Sequence, residues 1–236
     1  MPLPQLSLPE YKCTLPSTGE EIRFRPFLVK EEKILLMALE SNDLKDTIIS
    51  TKQIISNCVL NEDFDVNKIA TFDYEYLFLQ LRARSVGELI ELMMIHQNQK
   101  EDNECHHKTE VKIKIDDIKM SNEMPDDKIM INDEIGVKMK LTGIDAIVDI
   151  DFDKPESLYS FVANNIDYIF DSEEVYTDFT LQDMSDWIDN LSQTQLELLI
   201  SWYQTLPKLR HELTWKCEKC GEEESIVLEG LDAFFT

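Results

Sequence analysis

Cys217 and Cys220, separated by two residues and followed by Gly221, form the sharpest chemical pattern in the chain. Two thiolates at this spacing grip one zinc ion from a tight turn, and the glycine relieves the backbone where amides turn toward the sulfurs. Thioredoxin-like redox pairs share the spelling, but they need a helix leaving the dithiol so that helix-end amides stabilise a thiolate. Here Glu222, Glu223 and Glu224 leave, followed by the strand-like run Ser225-Ile226-Val227-Leu228. Carboxylates beside a thiol are expected to raise its pKa, not lower it. The pattern therefore favours zinc over redox chemistry, with a plain hairpin carrying two unligated cysteines as the remaining alternative.

A tetrahedral site needs two further ligands. Cys105 stands where a strand begins after a polar loop, and His96 stands nine residues earlier, where the preceding strand ends. The two can face each other across the base of that loop, and with Cys217 and Cys220 they complete a split zinc ribbon. His106, His107 and His211 are alternatives for the fourth ligand; His106 ranks last, because it adjoins Cys105 and strains a shared tetrahedron. Surface histidines without a metal are the simpler use of all three. Such a zinc would be structural, since four protein ligands leave no position for water or substrate, and folding would be coupled to metal occupancy. Cys13 and Cys58 sit among apolar positions and read as core residues. Five cysteines, an odd number, read as thiols or ligands rather than a disulfide framework.

Little else suggests chemistry. Asp149-Ile150-Asp151-Phe152-Asp153 gathers carboxylates, yet Lys154-Pro155 follows without the glycine and distant glutamate of a calcium loop. An acidic turn is the ordinary reading; a divalent-metal hydrolase relying on Asp149 or Asp151 is the remote one. No phosphate-cradling loop, nucleophile elbow or zinc-protease helix is present, and six glycines leave little material for nucleotide-binding loops. No catalytic residues and no small-molecule substrate are expected.

Charge narrows the partners. Forty-seven acidic against 23 basic side chains give a formal net charge of -24, which opposes binding to nucleic acid and to anionic membranes. An acidic solvated face, halotolerant or simply solubilising, is the ordinary reading of this excess, and an acidic patch that meets a basic partner is the alternative. An apolar fraction of 43% argues for a packed core in spite of the charge. The opening Met1-Pro2-Leu3-Pro4-Gln5-Leu6 lacks a basic and then apolar leader, and no stretch approaches the roughly 18–20 apolar residues of a membrane span. Folding in a reducing cytoplasm is the expectation.

The elements that must position these residues alternate in kind. Residues 11–15 and 21–27 alternate about the turn Pro16-Ser17-Thr18-Gly19 and predict a hairpin. Helical spacing follows over 30–40, 46–58 and 73–83, the last with Arg82 and Arg84 near its C-terminus, where cations are favoured. Residues 87–95 fit a strand, although helix is permitted, and 109–115 alternate cleanly. Residues 128–131 and 136–141 predict a second hairpin, suggesting one small antiparallel sheet set within the helical body. Helices are expected over 157–163, 180–191 and 193–206, with Thr180 and Ser192 as N-caps, and two strands flank the terminal cysteines. The fold class is α+β: a mainly helical body with small antiparallel β-sheets and a split zinc-ribbon-like module. The expected divisions are an N-terminal hairpin and helical region (1–86), a β-rich middle module (87–141), a C-terminal helical region (142–210) and a cysteine-knuckle tail (211–236) packed on the middle module.

The stretch Leu15-Pro16-Ser17-Thr18-Gly19-Glu20-Glu21-Ile22-Arg23-Phe24-Arg25-Pro26-Phe27, continuing through Leu36, resembles the T-even-type bacteriophage base plate protein family. So do Phe72-Asp73-Tyr74-Glu75-Tyr76-Leu77 onward to Glu88 and the Cys217–Cys220–Gly221 knuckle, in the same order along nearly the whole chain. The resemblance implies a component or assembly factor of the baseplate hub of a contractile-tailed phage, made in the bacterial cytoplasm and placed in the virion tail. It implies other hub, spike or tail-initiation proteins as partners. Family members carry cysteines around the middle loop, and His96 stands where a first cysteine is expected. An acidic zinc-bearing module that binds a basic host or viral protein is the alternative.

Overall fold

The computed structural model describes residues 7–41, 43–96, 105–148 and 154–234. The polar loop over 97–104 and the acidic run over 149–153 lie outside the described residues. The chain is α+β with small antiparallel sheets. Strands β1 (Tyr11–Thr14) and β2 (Glu21–Phe24) form the first hairpin, in register Cys13 with Ile22. Helices α1 (Val29–Ser41), α2 (Leu44–Cys58) and α3 (Thr71–Ser85) follow, then β3 (Leu89–Ile95), β4 (Lys108–Lys114) and the short β5 (Lys119–Met120). Next come β6 (Lys128–Met130), β7 (Gly136–Met139), α4 (Ile144–Val148), α5 (Pro155–Asn164), β8 (Ile166–Phe170) and β9 (Val175–Tyr176). Helices α6 (Leu181–Asp189) and α7 (Gln193–Thr205) lead into β10 (Leu209–Lys216) and β11 (Glu223–Glu229).

Two compact units result: residues 1–66, 72–121 and 208–236 form the first, and 67–71 with 122–207 the second. The stretch 87–141 thus contributes β3, β4 and β5 to the first unit and β6 and β7 to the second. The single small sheet expected there does not form. Instead, among the described residues, β3 pairs with β4 alone, while β6 and β7 join β8 and β9 in a four-stranded sheet of order β6-β7-β8-β9. The reason is burial: Ile90 and Ile113 face one core, Val137 and Met139 another.

In the first unit, alternation sends Ile22 and Phe24 of β2 inward, both essentially fully buried. The end of β2 also holds the chain leaving α2, through Arg25 N donating to Cys58 O at 3.0 Å and Leu60 N to Arg23 O at 2.8 Å. Two carboxylates are fully buried here. Asp73 of α3 accepts from the backbone amide of Ser17 at 2.9 Å and from its hydroxyl. Glu31 of α1 reaches back to the Leu28 amide at 2.8 Å and meets Arg25 at 3.0 Å. Buried polar groups need such partners, and both have them. A separate core under the β-strands gathers Leu79 and Ala83 of α3 with Ile90, Leu92, Ile113, Leu213, Trp215 and Phe234.

The second unit packs its sheet against α5, α6 and α7 through Val137, Met139, Val162, Met184, Leu199 and Trp202. Both predicted N-caps are capping boxes. Thr180 pairs reciprocally with Asp183, and Ser192 with Gln195. Gly136 lies under the ring of Phe170, where a Cβ would overlap the aromatic carbons and the ring would have to shift. Among the described residues, no helix is long and apolar enough to cross a membrane.

Candidate metal centre

The β3–β4 hairpin sets one half of the site. Its ladder ends at Ile95 opposite Lys108, and one more backbone bond, His96 N to His107 O at 3.0 Å, closes the base of the loop. That bond turns His96 and Cys105 toward the same point. The other half is the turn between β10 and β11. Cys217 N donates to Glu222 O at 2.8 Å, and Gly221 N donates to Cys217 O at 2.9 Å. Gly221 takes a φ of 75°, the left-handed conformation that glycine adopts without a Cβ penalty. The tight turn expected from the spacing is present, with these two backbone bonds.

The two halves meet. A ring nitrogen of His96 and the Sγ atoms of Cys105, Cys217 and Cys220 all lie within 4.8 Å of one another. Cys105 Sγ is 3.8 Å from Cys217 Sγ, and Cys220 Sγ is 3.2 Å from His96 Nδ1. His96, Cys105 and Cys217 are buried, while Cys220 is exposed at the rim. These four side chains form a candidate His/Cys metal-binding cluster. Burial opposes ionisation of Cys217, but backbone amides of Cys220 and Lys219 and the thiols of Cys220 and Cys105 outweigh it and hold its pKa below the ordinary thiol range. The amide of Glu222 favours the Cys220 thiolate, yet burial and the two neighbouring sulfurs push that thiol upward. The glutamate carboxylates, expected from the sequence to raise the thiol pKa values, are not what sets them.

Those carboxylates engage the histidine instead. Strand pairing of Trp215 with Glu224 aims the Glu224 carboxylate at His96, with Oε1 2.9 Å from Nε2; Glu222 lies 3.5 Å away. Trp215 stacks edge-on against the imidazole, ring centroids 6.1 Å apart. Neither Glu224 nor Trp215 was marked by the sequence as part of the site. Only the β10–β11 register distinguishes Glu224 from its two neighbours. The alternative histidines lie elsewhere: His106 is exposed, His107 is 3.9 Å from Glu218, and the His211 ring is 3.3 Å from the Asp117 carbonyl. Cys58 is fully buried and its thiol is pushed up to about 11, mainly by burial. Cys13 is half-buried, and burial with the nearby Asp73 charge pushes its thiol up to about 12.

The chain is thus an α+β protein whose middle and terminal hairpins converge on one candidate His/Cys cluster. A family model described as "T4 bacteriophage base plate protein" matches residues 8–236, and the chain belongs to that family. It is a non-enzymatic structural or assembly component of the phage tail baseplate, and it interacts there with other baseplate or tail components. No curated protein and no solved structure matches the chain.

Proposed function

We propose that this chain is a baseplate hub adaptor whose middle and terminal hairpins are clamped by one structural zinc ion on His96, Cys105, Cys217 and Cys220. The convergence of the four ligand atoms carries the reading. With Zn–S bonds of about 2.3 Å, a tetrahedral site has sulfur–sulfur edges of about 3.8 Å, and the Cys105–Cys217 separation is 3.8 Å. That distance is far longer than the roughly 2.05 Å of a disulfide. The donor set of three sulfurs and one imidazole nitrogen suits zinc. Four protein donors leave no vacancy for substrate, which agrees with a holding role.

Glu224 supplies the outer partner that zinc-binding histidines use. Its carboxylate on Nε2 favours the tautomer that leaves Nδ1 free to bind metal. Changing Glu224 to Gln is expected to weaken zinc affinity on the order of tenfold, as outer-shell changes do, with zinc stoichiometry unchanged at saturation. A competition titration against a chromophoric chelator measures this; unchanged affinity would remove Glu224 from the site.

The partners in this reading are the hub, spike and tail-initiation proteins, met through apolar and acidic surfaces in the bacterial cytoplasm. The direct test joins elemental analysis of chain purified without chelator to localisation in purified particles. One zinc per chain and label at the baseplate centre are expected. Zinc-free protein sinks the clamp, and label confined to the baseplate periphery sinks the hub assignment. Zinc-bearing protein absent from both particles and assembly intermediates points to the acidic module that captures a basic host protein.

A further inference from the structure

The second unit carries an open groove of about 420 Å³ between the end of its sheet and helix α6. Buried Met184 and half-buried Ile169, Phe179 and Trp187 make its apolar floor. Asp171, Asp178 and Asp183 stand around it, and no Lys, Arg or His is among the lining residues. The three carboxylates differ in their engagement. Asp171 accepts from the amides of Glu173 and Glu174 and from the Tyr176 hydroxyl, each at 2.8 Å. Asp183 is held by the Thr180 amide and hydroxyl at 2.8 and 2.7 Å. Both sets of bonds favour the ionised form. Asp178 is exposed and has no hydrogen-bond or ion-pair partner among the described residues.

We propose that this groove docks a segment of another protein in which one bulky apolar residue is flanked by Lys or Arg. The apolar side chain is taken up by Ile169, Met184 and Trp187, and the flanking cations meet Asp171, Asp178 and Asp183. The proposal deepens the baseplate reading, and it rests on that reading for the partner being a protein. Charge complementarity selects the occupant. Three carboxylates without a cation repel an acidic or anionic ligand and steer a basic one, and an apolar concavity supplies the anchor site that charge alone lacks. The groove thereby gives part of the net charge of -24 a defined place to act.

The test titrates full-length protein with four synthetic octapeptides, following methyl carbon signals of the methionines and measuring Kd by calorimetry. One peptide carries a central Leu-Phe flanked by Lys and Arg; one keeps the basic flanks with Gly-Ser at the centre; one carries Leu-Phe with Glu flanks; one carries Leu-Phe with Ser flanks. Only the first is expected to bind well and to shift the Met184 methyl. Asp178→Asn is expected to weaken it about threefold and Asp178→Lys about tenfold, as losing and reversing one exposed charge allow. Asp178 is a surface residue, so neither variant should disturb folding or zinc content, and both are checked. Equal binding of the Gly-Ser peptide, the Glu-flanked peptide or the Ser-flanked peptide overturns the proposal, as does a Met184 methyl that does not move. A wild-type dimer abolished by Asp178→Lys also overturns it, by assigning the groove to a second copy of this chain. Absence of wild-type protein from baseplates would count against the baseplate reading and leave the peptide result standing.

Discussion

Replacing Cys217 with Ser is expected to abolish stoichiometric zinc binding and to lower the melting temperature of the transition that includes the first unit by about 10 °C. The size follows from linkage. A ligand bound only by the folded state at about 1,000 times its Kd stabilises by roughly 4 kcal/mol, and in a chain of this size each kcal/mol moves the midpoint by about 2–4 °C. The unit should still fold, because Cys105 and Cys217 are two of the fourteen buried residues of that core, and Leu209, Leu213 and Trp215 of β10 remain in it. What is lost is the tie between the loop base at His96 and Cys105 and the β10–β11 turn. Three measurements are decisive together. Wild-type protein treated with chelator should melt close to the variant, the variant should ignore chelator, and Cys13→Ser should keep both zinc and melting temperature. Cys13 lies in β1 with its thiol pushed up to about 12, protonated at neutral pH and outside the cluster. A Cys217→Ser protein that melts like wild type, with chelator inert on both, would remove the clamp from the account of this fold.

How the site could be read from sequence follows from where its ligands sit. Cys217 and Cys220 advertise themselves by spacing, and Cys105 and His96 by standing at the two ends of a loop between alternating strands. Local pattern suffices for both pairs because each belongs to a hairpin, in which neighbours in sequence are neighbours in space. The joining of the pairs is a long-range event, and only the need of a tetrahedral site for two further ligands pointed to it. Glu224 shows the limit. Three consecutive glutamates are equivalent as letters, and only the folded turn and the pairing of Trp215 with Glu224 set Glu224 at 2.9 Å and Glu222 at 3.5 Å from His96 Nε2.

The same distinction explains the sheets. Strand β5 is two residues that pair with Leu209 and Arg210 across almost the whole second unit in sequence, so no local signal marks it. Strand β8, Ile166-Asp167-Tyr168-Ile169-Phe170, is rich in β-favouring residues, but it follows two asparagines directly behind α5 and has no turn partner in sequence; its pairing with β7 is a long-range event. Strand β9 is shorter still and exists as the partner of Ile169 and Phe170. The longer helices were legible because their signals are local, apolar spacing along α1, α2, α3 and α7 and two capping boxes whose partners lie three residues apart; α4, five residues long, carries no such signal and was not expected.

Truncating Glu31 to Ala is expected to destabilise the first unit by about 3–5 kcal/mol, the range for breaking a buried ion pair from one side. Glu31 is fully buried, and Arg25 is only 14% exposed. The Arg25 guanidinium also donates to the carbonyls of Pro26 and Asn57, each at 2.9 Å, which fixes it between β2 and α2. Without the carboxylate that cation stays in place and loses its countercharge, while the Leu28 amide at the start of α1 loses its acceptor. Glu31→Gln keeps an acceptor for Leu28 and should cost less, so the difference between the two variants separates the helix-start bond from the charge. The pH dependence has a defined sign. Burial pushes the Glu31 carboxyl upward, but hydrogen bonds from Arg25 and Leu28 and the Arg25 charge outweigh it and leave the pKa below the usual carboxylate value. A carboxylate depressed on folding contributes fully above its unfolded pKa of about 4.3 and loses that contribution as pH falls through the folded value. The stability gap between wild type and Glu31→Gln, measured by urea unfolding, should therefore be flat from about pH 6 to 8 and should close in acid. A gap that persists unchanged below the folded pKa, or an alanine variant within about 0.5 kcal/mol of wild type as for an ordinary surface site, would mean that the Arg25–Glu31 pair does not hold β2, α1 and α2 together.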